Sequence, residues 1–166
     1  MRKLAMALLL SATLPAFASV EADFNNGSTP AQILAAATAN CEGASCAELA
    51  KEAVAELIAA GADIKTVIEA ATASGSALSA EQVVATATVA AVKAGKSVAD
   101  VKVAAQDAGV SDAAISTGFS VAAADPVIAN NPTVVAEIVS ELPATAAEGG
   151  DTVVVVADNT TTDILP

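Results

Sequence analysis

The apolar and polar positions of this chain fall into short and long helical patterns that alternate along its length. Ile33, Val67, Val101 and Val135 form one apolar column spaced thirty-four residues apart, as the buried face of a recurring short helix requires. Four positions before each stand Thr29, Asp63, Ser97 and Asn131, whose side-chain oxygens can accept from an orphan backbone N–H at a helix start. Pro30 and Pro132 follow two of them directly, where a missing N–H costs nothing. Ala60-Gly61-Ala62-Asp63 recurs as Ala94-Gly95-Lys96-Ser97, each copy closing one pattern and opening the next. The helices that follow end on Gly75 and Gly109 at the same spacing, with Val67, Ala70 and Ala71 recurring as Val101, Ala104 and Ala105. The column therefore predicts four N-caps in a helix-turn-helix repeat.

The first short helix is predicted from about Pro30 to Asn40, and the next from Asp63 to Ser74. Between the short helices lie longer ones. Ser45-Cys46-Ala47-Glu48 and Ser79-Ala80-Glu81-Gln82 both read as capping boxes, thirty-four residues apart. The long helix from about Cys46 to Ala60 carries Leu49, Val54, Leu57 and Ile58 on one side, and Glu48, Lys51, Glu52 and Glu56 mainly on the other as a solvated face. A Ser/Gly linker, Ser74 to Leu78, leads to the second long helix, Ala80–Ala94, built almost entirely of Ala, Val and Thr. An element apolar around most of its circumference must be covered by neighbours, so this one is expected at the centre. Thr86 and Thr88 are expected to bond the preceding turn's carbonyls. A third long element, Ser111–Ala124, carries Thr117-Gly118, which predicts a bend or break. Asp125-Pro126 starts a short turn, and the last short helix runs from Asn131-Pro132 to about Leu142, stopped by Pro143.

These signals agree on an all-α chain, a short α-solenoid of about three to four helix-turn-helix units with a thirty-four-residue period. The expected core is Ile33, Val67, Val101 and Val135, with Leu57, Ile58 and Val92 from the long helices. The period and the helix-turn-helix form resemble those of tetratricopeptide repeats. That family's Trp, Tyr and Leu-Gly positions have no counterpart here, so no membership is claimed and no binding residues carry over.

Residues 1–18 read as a secretory signal peptide, with Arg2 and Lys3, an apolar run from Leu4 to Leu14, and Ala16-Phe17-Ala18 at the cleavage site. That run is too short to cross a hydrocarbon core needing about 20 residues. Export places the protein in the periplasm, the cell envelope or outside the cell, without membrane insertion after the signal is removed. A flexible lead-in (19–28), the helical-repeat domain (29–143) and an acidic Thr/Val-rich tail (144–166) follow. Cys41 and Cys46 sit across a turn, and in an oxidising compartment they are expected to close a disulfide that staples the first hairpin. Their spacing is not Cys-x-x-Cys, and two thiols without His leave a zinc ion half-coordinated.

Beyond residue 18 the chain keeps five Lys against nineteen acidic residues and has no Arg, His, Tyr or Trp. Nucleic acid binding, driven by Lys and Arg on phosphate, is thereby excluded. With no His for proton transfer, no Arg to clamp anions and no phosphate loop, no enzyme is expected, and no cofactor or metal site. Paired carboxylates serve glycosidases, but those sites need sugar-binding aromatics. Asp151, Asp158 and Asp163 are too widely spaced for an EF-hand loop. A small-molecule ligand is not expected either. What remains is a protein partner or self-association. The chain reads as a secreted interaction or scaffold module; the alternative is an extracellular assembly subunit that lends the strand Val153, Val154, Val155 and Val156 to another chain.

Overall fold

A computed structural model describes residues 20–73 and 76–142, and among these every regular element is a helix. In chain order they are α1 (Val20–Asn25), α2 (Pro30–Thr38), α3 (Ala44–Ala59), α4 (Ile64–Thr72), α5 (Ala80–Lys93), α6 (Val98–Asp107), α7 (Asp112–Ala123), α8 (Pro126–Ala129) and α9 (Pro132–Glu141). None of the described helices is long and apolar enough to cross a membrane. The signal segment, Ser74-Gly75 and everything from Pro143 onward lie outside the described residues.

Side chains and glycines fix the ends of these helices. Thr29, Asp63, Ser97 and Asn131 each accept from the backbone N–H three residues on, so all four positions of the column cap a helix. At Thr29, Ser79 and Ser97 the third helical residue returns a bond to the cap's own N–H, which closes a capping box. Two of those boxes, Thr29 with Gln32 and Ser97 with Asp100, add to the one expected at Ser79. Two residues ahead of three of these caps, Gly27, Gly61 and Gly95 take φ of 91°, 89° and 72°. In each case the next residue donates back five positions, as Ala62 does to the Leu57 carbonyl at 3.0 Å and Lys96 to Ala91 at 2.9 Å. This is the Schellman closure, and its left-handed residue favours glycine because a Cβ is strained there.

The short helices pack in series, α2 on α4, α4 on α6 and α6 on α9, while α3, α5 and α7 form a second row against them. Between the rows lie Ile33, Val67, Val101, Leu57 and Ile58, all buried. Centrally placed α5 buries Val83, Val84, Ala85, Ala87, Thr88, Ala90 and Ala91, and Thr88 returns its hydroxyl proton to the Val84 carbonyl at 2.7 Å. At the end of the row α9 is tied to α6 by polar contacts. The Glu137 carboxylate accepts from the Val98 N–H at 2.8 Å, satisfying a donor in the first turn of α6, and Lys102 pairs with Glu141 at 3.3 Å.

Several expectations are corrected. Ser45 does not cap a box: α3 starts two residues earlier behind Gly43, which has φ of 60° and no side-chain cap. The Ser45 hydroxyl instead donates to the Glu42 carbonyl, and Glu48 pairs with Lys51. The lead-in contains helix α1, whose Val20 is buried and whose Phe24 packs against the core. Val135 and Val92 are only half-buried; in α9, with no further short helix beyond it, Ile138 takes the enclosed position while Val139 stays 63% exposed. No break occurs at Thr117-Gly118, since α7 is continuous from Asp112 to Ala123. A Cβ on Gly118 would sit 2.7 Å from Val84 Cβ and 2.9 Å from the Glu81 carbonyl oxygen, so this glycine serves contact between α7 and α5.

Two substitutions test the packing. Val101→Asp places a charge at a position with no exposure and is expected to unfold the domain, whereas Lys102→Asp loses a half-buried pair with Glu141 and is expected to leave it folded; circular-dichroism melts in which both are equally tolerated contradict this register. Gly118→Ala at an open helix site would stabilise by about 1 kcal/mol. Here the crowding against Val84 reverses the sign, and urea unfolding is expected to show a loss of about 1–3 kcal/mol.

Candidate functional site

Alanine brings helices close but fills little volume, and the second row of helices leaves a groove of about 880 Å³ along α3, α5 and α7. Ala55 and Ala59 of α3, Ala85 and Ala90 of α5, and Ala122 of α7 line it. Val89 and Val121 add apolar surface, and Val121 is 56% exposed.

The polar margin comes mainly from α3. Glu48, Glu52 and Glu56 recur every four residues, which places them on one face of the helix along the groove. Asp125, the cap of α8, adds a fourth carboxylate, and Lys51 and Lys93 bring the ammonium groups. Lys51 is engaged with Glu48 at 2.8 Å. Glu52 stands one turn from Glu56, and partial burial, together with the repulsion of Glu52, pushes the Glu56 carboxyl above its ordinary value of 4.5. The groove thus carries more carboxylate than it neutralises from within.

Among the described residues no three His, Cys, Asp or Glu side chains come together in a way that could hold a metal ion. Cys41 and Cys46 lie at bonding distance, 1.95 Å between sulfurs and 5.0 Å between Cα atoms, across the turn from α2 to α3. Val153 to Val156, and Asp151, Asp158 and Asp163, lie outside the described residues. The sequence reading identified the charged face of α3 but not the groove beside it. Its trace in the sequence is faint: Glu48, Glu52 and Glu56 at four-residue spacing, flanked by Ala55 and Ala59 where a larger residue would fill the space.

No protein-family model, curated protein or solved structure matches the chain.

The carboxyl at Glu56 gives the groove a pH signature. Its folded-state affinity for a proton is raised, so the stability it contributes is present below the unfolded carboxyl's pKa and is lost as pH rises through the folded value, above 4.5. Glu56→Gln removes that loss. At neutral pH the variant is expected to melt at or slightly above the wild-type temperature, and a clear drop would show that the charge is favourably paired.

Proposed function

We propose that the chain is an exported, non-catalytic α-solenoid that acts as an interaction or scaffold module in a bacterial-type periplasm or cell envelope. The groove over α3, α5 and α7 is the observation that carries this reading: an apolar floor open to solvent, with a charged margin. The solenoid reading is supported by caps and Schellman glycines recurring at one period and by short helices packed in series. In such an array each unit leans on its neighbours and the long-helix side offers an extended surface to a partner. Export is supported by the signal-like residues 1–18 and by the Cys41–Cys46 pair, which persists in an oxidising compartment.

A second reading, a subunit of an extracellular filament or matrix, draws on the last helices. Val127 of α8 and Val139 of α9 are 42% and 63% exposed, and Val153–Val156 follow further along the chain. There the contacts in trans run through the end of the array and the tail.

Light scattering on the chain from Ser19 separates the two. The scaffold reading expects one monomeric species at every concentration. Oligomers that grow with concentration and vanish on removal of residues 144–166 overturn it in favour of the subunit. For a monomer, a photo-crosslinking residue at Thr86 in the groove is expected to trap discrete protein adducts in the native envelope, and one at Lys102 on the short-helix row to trap none; adducts from neither contradict the module.

A further inference from the structure

We propose that the groove over α3, α5 and α7 docks a cationic amphipathic helix, its small apolar face on the alanine floor and its Lys or Arg side chains against Glu52, Glu56 and Asp125. This rests on the interaction-module reading and specifies its partner. Three properties of the groove select that occupant.

The first is its floor. Ala55, Ala85, Ala90 and Ala122 present little side chain, so an incoming helix can approach to about the 8 Å axis separation that small residues allow. From Glu48 to Ala59 the α3 side runs twelve residues, about 16 Å of helix, which matches three turns of a partner. A peptide added as a strand would need an unpaired sheet edge to bond its backbone, and no strand occurs among the described residues. A helix satisfies its own backbone and brings only side chains.

The second is charge. Of the four carboxylates at the margin, Glu48 is matched by Lys51, whereas Glu52 and Glu56 repel one another across one turn. An incoming cation relieves that repulsion. Burial and the neighbouring Glu52 disfavour the charge on Glu56 in the free protein, which gives it a different signature from a side chain that holds the fold.

The third is what the groove rejects. The chain's own tail carries Glu148, Asp151, Asp158 and Asp163 and no Lys or Arg from residue 144 on, and a second copy brings nineteen acidic residues against five Lys beyond residue 18. Both are repelled, as are anionic lipid surfaces. The partner must be a basic segment of another protein.

The test uses the chain from Ser19 and a panel of fluorescent eighteen-residue peptides of Lys with Ala, Val or Leu, each patterned as an amphipathic helix, alongside scrambled peptides of identical composition. Anisotropy is expected to show at least one patterned peptide binding about tenfold more tightly than its scramble, with helicity gained on binding and affinity falling as salt is raised. Glu52→Gln/Glu56→Gln is expected to weaken that binding about tenfold, the effect of two partly screened charge pairs, without lowering the melting temperature. If every patterned peptide binds no better than its scramble, or if the double variant binds as the parent does, the proposal is overturned. Crosslinked adducts from Thr86 in the envelope, with no peptide bound, leave the module reading standing and remove only the cationic helix. Loss of both removes the module as well.

Discussion

The fold depends on how closely α5 and α7 can approach. Ala returns little buried area at about 25 cal/mol per Å², so a chain of this composition gains stability only where helix axes come near enough for many small contacts to add up. At Gly118 the two helices come close enough that the glycine faces Val84 with no room for a further carbon. On its other side α5 meets α3, and the buried Thr88 hydroxyl is satisfied within its own helix, so close packing leaves no buried side-chain polar atom without a partner among the described residues. The short helices are held differently, each started by a side-chain cap, so that its direction is set at the turn and α2, α4, α6 and α9 can lie on one another.

The same small residues account for the groove. Where alanines from adjacent helices face each other they draw the axes together, and where they face solvent they leave a shallow depression that bulkier side chains would have filled. The margin of that depression is acidic. Glu48, Glu52, Glu56 and Asp125 outnumber Lys51 and Lys93 along it, and the proposed basic partner rests on that imbalance.

What could be read from the sequence were the features encoded within a few residues. Thr29, Asp63, Ser97 and Asn131 are caps because a side-chain oxygen reaches an N–H three residues away, and this needs nothing from the rest of the fold. The Cys41–Cys46 closure is equally local. Gly27 belonged to the same column as Gly61 and Gly95, but its polar surroundings disguised α1. Ser45 failed because a hydroxyl in the first turn can bond backward as well as forward, and Glu42 offered an acceptor at 2.7 Å. Gly118 was read as a weakness of α7 because its reason lies thirty-four residues away, at Val84. The Glu137 bond to Val98 and the groove itself arise only when distant helices meet, and no local pattern announces them.

Native-state hydrogen exchange reads the central dependence most directly, since amides in the element that holds the others together open only with the whole domain. If close packing around α5 carries the fold, the amides from Val84 to Ala91 exchange slowest, with an opening free energy equal to that of global unfolding, while those of α2 and α9 open earlier. Amides of α5 that exchange as readily as those of α9 would contradict the account.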